Sequence, residues 1–298
     1  MSEVIVVGGG AAGMMAAIAA ADCGHQVTII EKNEKLGKKL FITGKGRCNI
    51  TNDSDVENHL NHVISNPKFM YSAFYSFDSS RMIDFLEQEG LAVKTERGNR
   101  VFPQSDKSSD VLQTLQKALR RRNVTVRLHT KMTGLMIEDH ICKGVKVQSY
   151  HGALETLAAD DVILTTGGLA YPSTGSTGDG HRLLKQAGVA LEPCYPALVP
   201  VETVEEWPIR LQGLSLRNVS LRVERGSHKI YEEQGEMLFT HFGVSGPLVL
   251  SASSLLGRKG AKDCKLHIDL KPALSEEQLD ERLQRDFAAQ KNSMFKNS

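Results

Sequence analysis

The sequence has few cysteines, and they follow no disulfide or metal-ligand pattern. There are five, an odd number, scattered along the chain at Cys23, Cys48, Cys142, Cys194 and Cys264. A disulfide framework needs an even set at characteristic spacings, and a zinc site needs closely spaced pairs of cysteine or histidine. The sequence therefore predicts neither a disulfide scaffold nor a metal site.

An excess of one charge is also missing. The chain has 36 lysines and arginines against 35 aspartates and glutamates, which gives a formal net charge of +1 at pH 7. No global field would then attract nucleic acid or an anionic membrane. The basic cluster at residues 120–122 follows a helical pattern, and cations there complement the helix dipole. We expect no nucleic-acid partner, and composition does not predict the oligomeric state.

Long hydrophobic runs are absent as well. No uncharged stretch reaches the length of about 20 residues that a membrane helix needs. The first strand-like run begins by Val4, which leaves no room for a signal peptide. With 41% apolar and 24% charged residues, the 298-residue chain has the composition of a globular protein with one large or two ordinary domains. The expectation is a cytoplasmic protein without a membrane partner.

What the chain does have is a glycine fingerprint near its start. Residues 4–13 read VIVVGGGAAG, in which Gly8, Gly10 and Gly13 form a G-x-G-x-x-G set. An apolar strand-like run precedes the set, and an Ala-rich helical pattern over residues 11–21 follows it. This context is typical of a turn that binds a dinucleotide pyrophosphate, which needs close backbone approach and a helix N-terminus.

Each residue of the fingerprint has a predicted role. Gly8 and Gly10 let the backbone approach the pyrophosphate, and the amides of Ala11 and Ala12 point at it. Gly13 lets the helix pack closely on the strand. The alternative is a glycine-rich turn in an ordinary α/β protein.

An acidic residue follows where a ribose-binding acid is expected, roughly 20 residues beyond the third glycine. The second strand-like run, residues 26–30, ends at Glu31. An ionised carboxylate only accepts hydrogen bonds, so Glu31 is predicted to hold the adenosine ribose hydroxyls. The neighbouring Lys32 is a second candidate for cofactor binding, with a solvated strand-end lysine as the alternative.

The order of the remaining segments predicts the fold class. A loop rich in lysine and glycine covers residues 32–52, helical patterns follow around residues 67–88 and 109–121, and a β-meander is expected at 131–147. Residues 160–168, DDVILTTGG, are typical of a buried strand that ends in a Thr-Gly turn. This order predicts an α/β fold with a two-dinucleotide-type, Rossmann-like FAD domain and an inserted β-rich domain.

Changes in pattern also predict the domain boundaries. The FAD-binding domain is expected at residues 1–191, the inserted β-rich domain at 192–273, and the start of a helical segment, which stops early, at 274–298. Ser275-Glu-Glu-Gln278 is a helix-start pattern. The glycines at residues 175–180 have neither the spacing nor the preceding strand of a second nucleotide fingerprint. If NAD(P)H is the electron donor, it is therefore expected to bind in the substrate cleft.

Four segments together resemble one family, the bacterial flavoproteins called YhiN-like or BaiN-like, which are NAD(P)/FAD-dependent or aminoacetone oxidase-type oxidoreductases. They are VVGGGAAG at 6–13, EKNEKLGKKLFITGKGRCNITN at 31–52, TTGGLAYPSTGSTGDGHRLLKQAG at 165–188 and LFTHFGVSGPLVLSAS at 238–253. The resemblance implies a flavoprotein with FAD as cofactor, hydride transfer on a small organic substrate and NAD(P)H as a candidate donor. Family members are longer and close with a G-E-x-x-D and G-G-Y-N segment, which is absent after Leu270.

The resemblance implies further cofactor contacts. It places the loop TGKGRCN, residues 43–49, along the cofactor, where glycines permit unusual backbone angles and a cation suits pyrophosphate or a flavin edge. A flexible basic loop is the alternative. The predicted contacts in this loop are Gly44, Gly46, Arg47, Cys48 and Asn49.

Two further sets complete the predicted cofactor site. By the same resemblance Met132 presents its backbone to adenine, with a side chain that fills the core as the alternative. Thr165, Thr166 and Gly167 approach the adenosine or pyrophosphate from the end of their strand, with plain strand termination as the competing explanation.

Catalytic residues are not evident from spacing. Cys48 has no cysteine partner within a few residues, so a positioning role is favoured over redox chemistry. His241, in the family-like string THFG, is the acid/base candidate, with a histidine satisfied inside a turn as the alternative. A flavin carries the hydride itself, so no conspicuous constellation is expected. The competing hypotheses are a truncated, non-catalytic nucleotide-binding remnant and an NAD-dependent dehydrogenase with one Rossmann domain.

Overall fold

A computed structural model describes residues 1–289 of the chain. These residues divide into two compact units, the first spanning Met1–Glu192 and the second beginning at Pro193. Residues 290–298, the end of the helical segment predicted at 274–298, lie outside the described residues. The domain boundaries drawn from the sequence stay predictions.

The strands of the first unit form one parallel and two antiparallel sheets. In chain order they are β1 (Glu3–Val7), β2 (Gln26–Ile30), β3 (Thr51–Asn52), β4 (Val93–Glu96), β5 (Arg100–Pro103), β6 (Thr125–Arg127), β7 (Thr130–Glu138), β8 (Ile141–Ser149), β9 (Leu154–Ala158) and β10 (Asp161–Leu164). The parallel sheet has the order β10-β1-β2-β6, and the antiparallel sheets have the orders β3-β5-β4 and β7-β8-β9. The antiparallel β7-β8-β9 sheet lies between β6 and β10 in the chain. This is the α/β, Rossmann-like architecture predicted from the sequence.

The helices of the first unit include those predicted at residues 11–21, 67–88 and 109–121, and three further helices that were not predicted. In chain order, the helices are α1 (Ala11–Asp22), α2 (Lys38–Ile42), α3 (Val56–Asn61), α4 (Tyr71–Ser76), α5 (Ser79–Gln88), α6 (Ser108–Arg121) and α7 (Asp179–Gln186), with short 3-10 turns at Thr43–Gly46, Pro67–Met70 and Pro172–Thr174. The sequence predicts one loop over residues 32–52, and this was wrong for α2. Gly37 takes a left-handed conformation (φ 68°), after which the run KKLFI, without glycine or proline, forms a helical turn.

The core explains why β1 is apolar at four successive positions. Val4 and Val6 pack in one cluster with Met14 of α1. Ile5 and Val7 pack in a second cluster, which contains Val145 of β8. Because β1 is covered by a helix layer on one face and the antiparallel β7-β8-β9 sheet on the other, both of its faces are buried. Its carboxyl end, where the chain turns into α1, opens at the edge where ligands bind in such sheets.

The second unit is rich in β-structure, as predicted. Its strands are β11 (Val201–Glu202), β12 (Ser215–Arg225), β13 (His228–Thr240), β14 (Gly243–Ser245) and β15 (Cys264–Asp269), in the antiparallel order β11-β14-β13-β12-β15. Its helices are α8 (Trp207–Arg210), α9 (Pro247–Leu255) and α10 (Glu276–Ala289). Leu221 and Met237 of the sheet pack with Val249 of α9 in one core. At the start of α10, Ser275 Oγ accepts from Gln278 N (3.2 Å) and Gln278 Oε1 from Ser275 N (3.0 Å), which is the capping pattern predicted there.

Candidate cofactor site

The turn between β1 and α1 leaves room for a ligand at one glycine and none at the other two. A Cβ atom at Gly8 would lie 2.6 Å from Thr165 O, and one at Gly13 would lie 1.8 Å from Gly8 O. A Cβ atom at Gly10 would meet nothing within 4 Å. Gly8 also has φ +106°, which side chains disfavour. The backbone therefore closes on Gly8 and Gly13, whereas Gly10 faces open space.

The N-terminus of α1 is open to an anion. Its N-cap residue, Gly10, makes no side-chain capping bond, and its first turn has no acidic residue. The first amides of a helix have no intrahelical acceptor and carry partial positive charge. Because Gly10, Ala11 and Ala12 all line one cavity, a phosphate there would meet amide donors.

The carboxylate of Glu31 is buried at the end of β2, beside the same turn. Its Oε2 accepts from Gly9 N (2.7 Å), and its Oε1 accepts from Asn33 N (2.8 Å) and Asn33 Nδ2 (2.7 Å). These donors fix the direction of the side chain against the glycine turn. A carboxylate has about four acceptor positions, so capacity for a further donor remains.

A second part of the cavity wall comes from residues 165–167, 174–176 and 179, and this segment is tied to the end of β2 and to α2. Lys32 Nζ lies 2.7 Å from Asp179 Oδ2, and Asn33 Nδ2 donates to Thr174 O (3.3 Å). Lys39 Nζ donates to Ser176 Oγ at 2.7 Å. Burial disfavours the charged form of Asp179, but the hydrogen bond and charge of Lys32 outweigh it and lower the pKa of Asp179 to about 2. Lys32 is therefore held in an ion pair at the cavity wall, and its role in cofactor binding stays a prediction.

These walls enclose a cavity of about 390 Å³, a size typical of small-molecule and cofactor pockets. The cavity brings together most of the residues predicted from the sequence to bind the cofactor. Those in its wall are Gly8, Gly10, Ala11, Ala12, Glu31, Lys32, Cys48, Asn49, Met132, Thr165, Thr166 and Gly167.

Four predicted residues, Gly13, Gly44, Gly46 and Arg47, are not part of the cavity wall. Gly13 lies behind the turn. The side chain of Arg47 pairs with Glu96 (2.5 Å) and Asp106 (2.6 Å). Its guanidinium also lies 4.1 Å from the centre of the Phe102 ring. Arg47 is thus held by β4, β5 and the turn after β5, and its contact with the cofactor stays a prediction.

Cys48 lines the cavity as a buried thiol. Burial raises the pKa of Cys48, although a hydrogen bond with Thr43 opposes this. A thiol with a raised pKa is a poor nucleophile because little thiolate is present near neutral pH. The chemistry therefore favours a packing role for Cys48 over a redox role.

The acid/base candidate, His241, lies in the second unit, whereas the cavity belongs to the first. It is exposed between β13 and β14, and its ring packs edge-on against Phe242, with ring centres 4.7 Å apart. Its assignment as an acid or base stays a prediction.

The sequence reasoning missed several residues of the cavity wall. Asn33, Lys39, Ser176 and Asp179 make the contacts that join its two sides. An apolar end of the cavity was also missed, and it is lined by Met15, Leu40, Ile50, Met82, Val111 and Leu115. Lys39 and Asp179 lie inside the family-like strings at 31–52 and 165–188, and that was the only signal for them.

Residues 1–289 contain neither a membrane-spanning helix nor a cluster of metal-ligating side chains. No helix is both long and apolar enough to cross a membrane. No group of three or more histidine, cysteine, aspartate or glutamate side chains that could hold a metal ion occurs in this range.

Comparison with known proteins decides the family. The family model described as the HI0933-like protein Rossmann domain matches residues 2–253. The chain belongs to this family. It is the YhiN-like and BaiN-like flavoprotein family predicted from the four segments, a family of FAD-dependent oxidoreductases.

Two relatives of the HI0933-like chain have named activities. The 3-dehydro-bile acid delta(4,6)-reductase of Clostridium scindens is 32% identical over 94% of the chain, which covers 67% of that protein. The ribosomal RNA dihydrouridine synthase of Escherichia coli is 30% identical over 85% of the chain, which covers 60% of that protein. The chain thus spans between 60% and 67% of the length of these two relatives.

Among solved structures, the fold is similar to 3-ketosteroid delta1-dehydrogenase from Sterolibacterium denitrificans in complex with 1,4-androstadiene-3,17-dione. The TM-score is 0.54 at 16% identity, and the match covers 73% of this chain and 62% of that one. At this identity the likeness concerns the fold alone.

Proposed function

We propose that this chain is a FAD-dependent oxidoreductase whose first unit holds the adenosine diphosphate part of FAD in the 390 Å³ cavity. One observation carries the proposal, namely that three features meet in one cavity wall. They are the open space at Gly10, the uncapped amides of α1 and the buried carboxylate of Glu31. Together they offer donors for a diphosphate and an acceptor for ribose hydroxyls.

Each group has a defined role in the proposal. The amides of Ala11 and Ala12 bind the diphosphate, and Glu31 uses its remaining acceptor capacity for a ribose hydroxyl. Met132, whose side chain is buried in the core, offers only its backbone to adenine. When bound, FAD supplies hydride transfer at its flavin ring, and the protein supplies orientation and electrostatics.

The proposed substrate class is a small organic molecule with a carbon–carbon double bond conjugated to a carbonyl group. The names of both relatives support the conjugated double bond, and the name of the first supports a small molecule. Saturating the delta-4,6 bonds of a 3-dehydro-bile acid and converting uridine to dihydrouridine each reduce such a bond.

NAD(P)H is the proposed electron donor, and His241 is the residue to test as proton donor. The net charge of +1 favours a small molecule over RNA as the substrate. The proposed location of the protein is the cytoplasm.

The first test is a visible absorption spectrum of the purified, desalted chain before and after excess FAD. We expect the desalted chain to keep a two-band flavin spectrum. ADP should displace the bound FAD, whereas riboflavin should not. Anaerobic NAD(P)H should bleach this spectrum, and an enone should restore it. A uracil-containing RNA tested in parallel separates the two substrate classes.

The same spectra test the alternative hypothesis that the chain is a non-catalytic nucleotide-binding remnant. A chain that binds ADP but stays colourless with FAD would be a nucleotide-binding remnant, and the oxidoreductase proposal would fail. A chain that binds NAD but not FAD would instead be a dehydrogenase with a single Rossmann domain.

A further inference from the structure

Lys39 follows a segment that is bonded directly to the glycine turn. Gly37 N donates to Gly9 O at 2.8 Å. The side chain of Leu36 fills the space beside Gly9, where a Cβ atom would lie 2.2 Å from Leu36 Cδ2. The chain just before Lys39 is therefore fixed against the turn whose amides line the cavity.

The ammonium of Lys39 reaches across to the other wall. Its Nζ donates to Ala170 O and to Ser176 Oγ, each at 2.7 Å. Ser176 in turn lies against the end of the β10 segment, because a Cβ atom at Gly167 would be 2.6 Å from Ser176 Oγ. Lys39 thus joins the wall that starts at the glycine turn to the wall that follows β10, and it lines the cavity.

The charge of Lys39 is not neutralised as those of its neighbours are. Lys32 pairs with Asp179 at 2.7 Å and Lys38 with Glu34 at 3.4 Å, and Lys131 is exposed to water. Lys39 is half-buried, both of its acceptors are neutral, and within residues 1–289 no carboxylate lies within 4 Å of its Nζ. An ammonium has three donors, so one remains for a further acceptor. The charge of Lys39 is thus left without a counter-charge, which a negatively charged ligand would supply.

We propose that Lys39 is the charge partner of a phosphate group of the dinucleotide bound in this cavity. This inference rests on the proposed function and adds a specific subsite to it. The amides of α1 and the Lys39 ammonium line the same cavity, so both would be available to the diphosphate. Charge-assisted hydrogen bonds of this kind are stronger than neutral ones, so Lys39 contributes affinity for phosphate and none for the nucleoside.

The test compares ADP with adenosine by calorimetry, on the full chain and on Lys39→Gln. We expect the variant to bind ADP and FAD about tenfold more weakly or worse, with adenosine affinity changed less than about twofold. The loss should shrink as ionic strength rises, because salt screens the charge. Lys39→Arg, which keeps the charge, should retain most of the ADP affinity, and Lys39→Met is the second neutral variant should the glutamine chain fail to fold.

Two controls separate charge from structure. Ser176→Ala removes a neutral acceptor of Lys39 without changing the charge, so ADP should still bind much more tightly to it than to Lys39→Gln. Lys143→Gln removes an exposed lysine outside the cavity wall, and it should leave ADP affinity unchanged. An equal loss for ADP and adenosine in Lys39→Gln would reduce Lys39 to a structural tie and overturn the inference.

The outcomes for the unaltered chain are distinct from these. If it binds neither ADP nor FAD, the proposed function itself fails. If it binds both and Lys39→Gln binds both equally well, the inference about Lys39 alone fails.

Discussion

The ammonium of Lys32 lies 2.7 Å from the carboxylate of Asp179, although 147 residues separate the two in the chain. Lys32 follows β2, and Asp179 begins α7. The ion pair therefore fastens the segment after β10 to the segment that follows the carboxyl end of β2, and both residues line the cavity. Thr177 accepts a second bond from the same ammonium at 2.8 Å, so this side of the cavity is held by a small network rather than by one contact.

We expect Asp179→Asn to lower the unfolding free energy by about 1 to 2 kcal/mol at pH 7, because it removes a partly buried charge pair. Urea unfolding of the variant and of the unaltered chain measures the difference. Arg182→Gln is the matched control, since Arg182 contacts the same carboxylate from a more exposed position at 3.3 Å. A loss in Asp179→Asn no larger than in that control would contradict the assignment.

The pH dependence of this pair has a defined sign. The pKa of Asp179 is lowered from 3.8 to about 2 in the folded chain. A lowered pKa stabilises the fold above the unfolded-state value and loses that stabilisation as pH falls toward the folded-state value. The difference between the unaltered chain and Asp179→Asn should therefore be constant from pH 5 to pH 7 and shrink below about pH 4. A difference that grew as pH fell would be inconsistent with this ion pair.

Two alanine substitutions in the glycine turn should affect different properties. One should lower the stability of the fold, and the other should lower the affinity for FAD. Gly13→Ala puts a Cβ atom 1.8 Å from Gly8 O, so we expect a loss of about 3 kcal/mol or more, or failure to fold. Gly10→Ala meets nothing within 4 Å, so the unfolding free energy should change by less than about 1 kcal/mol. Its methyl group would, however, enter the ligand space and weaken FAD binding. Melting curves and FAD titration of both variants test this, and tight FAD binding by Gly10→Ala would contradict the assignment of the site.

The sequence predicts β1, α1 and β2 because their signals are local. The apolar run, the glycine set and Glu31 all lie within the first 31 residues, and each follows from strand or helix periodicity and the turn between them. Cys48, Asn49 and residues 165–167 were predicted at the cofactor site with the help of the family-like strings. Local patterns alone do not indicate them.

Long-range partners could not be predicted in the same way. Arg47 has the residue type that suits a pyrophosphate, but its side chain binds Glu96 and Asp106, 49 and 59 residues further along the chain. Nothing local in residues 43–49 distinguishes a cation that faces the cofactor from one that faces β4 and β5.

Helix α9 was missed because the sequence at its start is typical of a turn. The residues that lead into it, GVSGP at 243–247, have this pattern, although Pro247 suits the first helical turn.

Cys48 should be the slower of two cysteines to react with iodoacetamide. Its thiol is buried and its pKa is raised by that burial, whereas Cys23 is exposed. Because alkylation requires the thiolate, mass spectrometry after a short reaction at pH 8 should find Cys23 modified and Cys48 largely unmodified. Bound FAD should slow the labelling of Cys48 further and leave Cys23 unchanged. Equal labelling rates would show that the Cys48 thiol is neither buried nor perturbed.

Glu31→Ala should weaken adenosine binding by about 1 to 3 kcal/mol, because charge-assisted bonds to the ribose are lost. The substitution also removes the acceptor of Gly9 N and of both Asn33 donors, so a stability loss is expected alongside. Asn33→Ala separates the two effects, since it removes one of those donors and leaves the carboxylate in place. We expect Asn33→Ala to share part of the stability loss and little of the affinity loss. Adenosine and 2′-deoxyadenosine titrations complete the test, because Glu31→Ala should reduce the preference for the intact ribose. An unchanged preference would mean that Glu31 only orders the glycine turn.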